Sequence, residues 1–173
     1  MLFGTLHSTP STGAAAIICQ PTVDDVPAIV SLERESPSAS HWSEAAYRTA
    51  FESGAPARLV FVCQDDTGGT ENRLQGFVVA RINGEDWELE NIVVAAEFQR
   101  RGLGIQLMQA LIRAARERQA LQILLEVRES NTAARSFYEK LGFQITSRRR
   151  SYYNHPTEDA VLYALPLKKS GGT

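Results

Sequence analysis

The chain of 173 residues is 43% hydrophobic and 22% charged with a formal net charge of −2, the composition of one domain long enough to fold without disulfide or metal staples. Its two cysteines, Cys19 and Cys63, lie in separate segments with no Cys-x-x-Cys or Cys/His ligand spacing, so no disulfide framework and no metal site is indicated and a reducing, cytoplasmic setting is expected. Its apolar runs fall far short of the roughly 20 residues a spanning helix needs, and its near-neutral charge argues against direct nucleic-acid binding.

In chain order, residues 1–16 read as a flexible tail, Ser/Thr-rich with no basic segment ahead of an apolar core. A short strand is expected at Ile17–Gln20. A helix carrying Val26, Ile29, Val30 and Leu32 follows, with Thr22, Asp24 and Asp25 as cap candidates. A second helix starts at Ser43. Strands are expected at Arg58–Gln64 and Leu74–Asn83, joined through Gly68-Gly69, and at Trp87–Val94, an antiparallel meander. Leu103, Leu107, Leu111 and Ala114 recur at helical spacing in a long helix that Gln99–Gly104 opens. Arg113, Arg116 and Arg118 near its end suit the helix macrodipole. Leu121–Val127 then reads as a strand, Asn131–Leu141 as a helix stopped by Gly142, Phe143 onward as a strand, and Ala160–Leu165 as the last strand. This order predicts an α+β fold, a mixed and mostly antiparallel sheet with a parallel pair where a helix crosses over. The domain spans residues 17–167, and residues 168–173 form a C-terminal tail.

Charge divides the chain. Up to Glu97 there are 14 acids and 5 bases, and from Phe98 onward 6 acids and 13 bases. All but three of the 18 bases are arginines, the side chain whose planar fork suits phosphate. Arg100, Arg101, Gly102, Leu103, Gly104 and Ile105 sit where a strand passes into a helix. Unpaired amides at the helix start, the dipole and the two arginines could there hold an anion. The loop lacks the Gly-Lys-Ser/Thr of a nucleotide-binding P-loop and the Gly-x-Gly-x-x-Gly of a dinucleotide domain.

Gln99-Arg100-Arg101-Gly102-Leu103-Gly104, preceded by Asn91-Ile92-Val93-Val94, resembles the acetyl-CoA binding motif of the GCN5-related N-acetyltransferase (GNAT) superfamily. Leu125 to Asn131, Ala133-Ala134 and Phe137 to Phe143 resemble the second motif of its RimI-type protein N-terminal alanine acetyltransferases. Arg149-Arg150, Tyr152-Tyr153, Glu158-Asp159-Ala160 and the early pair Trp42-Ser43 extend the similarity over about Ile17 to Leu167. The sequence departs from the family pattern at Cys19-Gln20-Pro21 and at Asn154-His155-Pro156.

The resemblance implies a GNAT fold with helices on both faces of the sheet and a bulge in the strand Trp87–Val94. It also implies that the parallel pair splays to admit the arm of acetyl-CoA. Ile92, Val93 and Val94 would face that arm, Arg100 to Ile105 would hold its pyrophosphate, and Asn131 would fix the arm. Glu126 would be the general base and Tyr138 the acid that protonates the leaving thiolate. From the residues alone, Glu126 reads equally as a group on an exposed face or in an ion pair with Arg128, and Tyr138 as a core aromatic. Glu88 and Glu90 compete as bases. Trp42, Glu90, Tyr152, Tyr153 and Asp159 would line the acceptor side, and Arg148-Arg149-Arg150 could touch CoA, ribosomal RNA or only solvent, with solvent the first expectation. An α-amine titrates near 7.7 to 8.0, so the base has modest work to do.

Those implied parts amount to direct transfer of acetyl from acetyl-CoA, without a metal or an acetyl-enzyme, to the N-terminal amine of a protein, an alanine on a small-subunit ribosomal protein. The enzyme would be a cytoplasmic monomer or weak dimer with no membrane partner. A small-molecule amine acetyltransferase and a non-catalytic acyl-CoA sensor are the alternative readings.

Overall fold

Val26, Ile29 and Val30 fall on one stripe of a helix, and burying that stripe against a sheet sets the first layer of the molecule. The structure is a computed structural model that describes residues 16–37, 39–52, 57–65 and 73–167. Seven strands, β1 (Ala16–Cys19), β2 (Arg58–Asp65), β3 (Leu74–Asn83), β4 (Asp86–Val94), β5 (Gln122–Arg128), β6 (Gln144–Asn154) and β7 (Thr157–Pro166), form one sheet. Their order is β1-β2-β3-β4-β5-β7-β6, and the only parallel pairing is β4 with β5. The helices are α1 (Val26–Arg34), α2 (Glu44–Thr49), α3 (Leu103–Glu117) and α4 (Thr132–Lys140). This is the mixed α+β sheet expected, with its parallel pair at the α3 crossover.

Boundaries shift by a few residues. β1 begins at Ala16, which pairs with Asp65, so that residue leaves the expected tail and joins the sheet. The rest of the 1–16 tail, the 168–173 tail and the Gly68-Gly69 turn lie outside the described residues. β7 starts three residues before Ala160, because pairing of Asn154 with Thr157 carries the β6–β7 hairpin to its tip. Caps lie where the residue types suggest. Ser43 Oγ accepts from Ala46 N at 3.2 Å at the start of α2, and Gly142 takes the left-handed φ of 93° that stops α4.

Two cores flank the sheet. On one face α1 and α2 bury Val26, Ile29, Val30 and Tyr47 against Val60, Val62, Phe77, Val79 and Val93. On the other, α3 and Tyr138 of α4 pack with Leu59, Val78, Ala80, Trp87, Leu89, Ile123 and Leu125. β4 changes sides midway. Val79 pairs with Asn91 but Ala80 pairs with Leu89, so Glu90 is an extra residue, a bulge. Before it Trp87 and Leu89 face α3; after it Val93 faces α1, and Ile92 and Val94 pack on the α3 side. A one-residue insertion inverts which side chains face each layer.

α4 is started by Asn131, whose side-chain oxygen accepts from Ala134 N at 3.1 Å. Asn131→Ala is therefore expected to destabilise the protein by about 0.5–2 kcal/mol, as loss of an N-cap does. Urea unfolding of the two proteins checks this.

Candidate active site

The parallel pairing is short. Asp86, Trp87 and Glu88 pair with Gln122, Ile123 and Leu124, and there it ends. β4 continues with β3 to Val94, while β5 continues with β7 to Arg128. The two strands therefore part just before the Glu90 bulge. Among the described residues the β5-facing edge of β4 beyond Glu88 has no strand partner, so main-chain polar groups there other than the Glu90 and Val94 carbonyls, which accept from Ser40 and Gln99, can meet something lying in the gap.

Beyond β4 the chain turns through Gln99–Gly102 into α3. Gln99 Nε2 donates to the Val94 carbonyl at 3.1 Å, which ties the loop to the strand end. Arg100 and Gly102 both take left-handed φ, 61° and 84°, a cost a glycine bears freely and an arginine does not. The result is a run of N–H groups from Arg100 to Ile105, none of which donates to another main-chain group among the described residues. Arg101 and Arg73 lie over the Phe98 ring at 5.4 and 5.8 Å. Unspent amides at the start of a 15-residue helix, with exposed arginines beside them, can take a phosphate-bearing group.

Glu126 stands on β5 past the point where the strands part. Its partner is Arg149 at 2.6 Å, not Arg128, and Tyr152 hydrogen-bonds to it as well. Arg128 instead pairs with Glu158 at 3.3 Å and lies over the Tyr153 ring at 4.1 Å. Arg148 pairs with Glu129. The 148–150 run is thus not merely solvated, and Arg149, which also covers Tyr152 at 5.3 Å, is the site residue that its neighbours in sequence concealed. A bulge between Arg149 and Tyr153 aims these groups. Ser151 sits there at φ 49° and donates its N–H to Asp159 Oδ1 at 2.9 Å. Asp159 therefore braces the hairpin that holds Arg149, Tyr152 and Tyr153 around Glu126.

Tyr138 packs its ring edge-on to Phe137 and Phe143, at 5.4 and 5.7 Å between centroids. Its hydroxyl has no protein partner among the described residues. It is not sealed in either, because Arg81 Nε is the only enclosed side-chain N or O among them without a hydrogen bond. Burial, and after it the charge of nearby Tyr153, push the Tyr138 phenol well above its ordinary range. Tyr153 also feels the charge of Glu126, so Tyr153 lies within electrostatic reach of both.

The rival acids on β4 are already engaged. Glu88 pairs with Arg81, directly opposite it on β3. Glu90 receives Arg58 Nε and Nη2 at 2.7 and 3.1 Å and its side chain is 12% exposed. Arg58 in turn lies over Trp42 at 5.2 Å, so Trp42 and Glu90 meet through it. Two buried polar groups escaped the sequence reading, Gln75 and Glu33, and for Glu33 the signal was available: it occupies the next position of the apolar stripe Val26, Ile29, Val30. Among the described residues no cluster of ligand side chains could hold a metal, and no helix is long and apolar enough to cross a membrane.

A family model described as "Acetyltransferase (GNAT) family" matches residues 26–143. The "[Ribosomal protein bS18]-alanine N-acetyltransferase" of Salmonella typhimurium is 42% identical over 101 residues, 56% of this chain and 67% of that protein. The protein of the same name from Escherichia coli K12 is 35% identical over 147 residues, 83% of this chain and 92% of its own. The crystal structure of the ribosomal-protein-S18-alanine N-acetyltransferase from Escherichia coli superposes with a TM-score of 0.77 at 30% identity, covering 91% and 97% of the two chains.

Proposed function

We propose, for a chain that belongs to the acetyltransferase (GNAT) family, that it is the N-acetyltransferase of an N-terminal alanine on a ribosomal protein, working in the cytoplasm. The names of the relatives support the acceptor. The parting of β4 from β5 beside Glu126 and above the Arg100–Ile105 amides is the observation that carries the reading.

Acetyl-CoA, when bound, supplies an acetyl thioester. The amides from Arg100 to Ile105 receive its phosphates, and the open β4 edge near Val93 and Val94 receives its arm and polarises the thioester carbonyl as charge develops there. Asn131 keeps its amide nitrogen for the same arm, since only its oxygen caps α4. Glu126 accepts the proton that the attacking amine must lose. Arg149 and Tyr152 first have to yield that carboxylate, and an incoming ammonium can replace them because it brings the positive charge of Arg149 and N–H donors in place of the Tyr152 hydroxyl. Tyr138 gives its proton to the departing sulfur as the C–S bond breaks, and a phenol carries that proton at neutral pH. Trp42, Tyr152 and Tyr153 wall the acceptor end.

The test is acetyl transfer from acetyl-CoA to Ala-, Ser- and Met-initiated peptides beside polyamines and aminoglycosides, read by mass. Acetyl gain at the α-amine of Ala-initiated peptides alone is expected. Gain on a small amine alone would reassign the acceptor, and no gain despite tight CoA binding would overturn catalysis.

A further inference from the structure

Glu33 is 1% exposed and forms no ion pair among the described residues. It lies in the last turn of α1, the end where the helix dipole disfavours an anion. A buried carboxylate in such a place is costly, and an apolar side chain would continue the stripe it interrupts. What it gains is three donors: Trp42 N at 2.9 Å, Asn91 Nδ2 at 2.5 Å, and the Tyr47 hydroxyl. Asn91 also donates to Tyr47 Oη at 3.0 Å. Asn91 is the residue after the Glu90 bulge, and Trp42 closes the loop between α1 and α2. A second tie joins the same two segments, since Ser40 Oγ donates to the Glu90 carbonyl at 3.1 Å.

We infer that Glu33 is a positioning residue that fixes the Trp42 loop in register with the β4 bulge, and so sets acceptor affinity without touching the acceptor. The inference rests on Trp42 walling the acceptor end. A carboxylate suits this place because it accepts on both oxygens, whereas an amide offers one acceptor and would turn its own N–H groups on a donor.

The test compares Glu33→Gln, Asn91→Asp and the pair together, using the amine that the acceptor panel identifies. Glu33→Gln is expected to raise the acceptor KM about tenfold, the loss of roughly one hydrogen bond to a charged group, with kcat and the CoA Kd within about twofold of the parent. In the pair, the introduced amide donates to the introduced carboxylate at position 91, and the acceptor KM should return most of the way. If Glu33→Gln does not fold, Glu33→Asp, which keeps the charge and shortens the reach, carries the same comparison. An unchanged acceptor KM, or CoA affinity and acceptor KM worsening together with no recovery in the pair, overturns the inference. A parent protein that acetylates only small amines counts against the alanine acceptor and leaves this comparison intact.

Discussion

Tyr138→Phe should cut kcat by about 10²–10⁴-fold, the range for losing a positioned proton donor, with no loss of stability and no change in CoA affinity. The two readings of this residue separate cleanly. If Tyr138 were only a core aromatic, phenylalanine would keep its edge-on contacts with Phe137 and Phe143. Removing a hydroxyl that has no protein partner among the described residues leaves no group orphaned, so the variant would work normally and melt no earlier. If the hydroxyl supplies the proton, turnover falls while the melt and the CoA titration do not move. Single-turnover transfer to the acceptor, read beside calorimetric CoA binding, checks it. Transfer at the parent rate would remove Tyr138 from the chemistry.

The second large effect is expected at Gly76, which pairs with Val94 across β3 and β4. A methyl added there would stand 2.8 Å from the Val93 carbonyl oxygen and 3.2 Å from Leu107 Cδ1. The nearer obstacle is backbone, so relief means pushing β4 away from β3 or pressing on α3. Gly76→Ala is expected to destabilise the fold by about 1–3 kcal/mol. For a chain of this length each kcal/mol lowers the melting midpoint by roughly 2–4 °C. The strand displaced carries Val93 and Val94, and small misplacements at a reacting centre are expensive, so kcat should fall about tenfold or more in the fraction that remains folded. Thermal unfolding and initial rates at a temperature where both proteins are folded measure the two effects. A normal melt with normal turnover would show that β4 is more yielding than its contacts suggest.

Elements that announce themselves through local chemistry were legible in the sequence. α3 repeats its leucines at helical spacing, β5 is a strongly apolar run, and Ser43, Asn131 and Gly142 mark helix ends by residue type alone. β6 did not show its extent, because nearly all of its 11 residues are exposed and an exposed edge strand carries no alternation to read. The partner of Glu126 was misread for another reason. Arg128, two residues away, was the local candidate, but Arg149 reaches the carboxylate from β6 through a bulge that nothing nearby in sequence specifies. Glu33 broke a legible pattern, and what it holds, Trp42 and Asn91, lies in segments joined only by the fold.

Glu90 gives β4 a change of parity. Were Glu90 instead taken into regular pairing, the strand would alternate unbroken from Trp87 onward, a better strand by every local measure, yet Asn91 would turn toward α3 and Ile92 and Val94 toward α1. The bulge thus sets a reading frame at the level of the sheet. A strand flattened in this way would keep its composition and its strand-forming tendency while exchanging the faces of Asn91 to Val94, so the place of the extra residue is specified as strictly as any side chain.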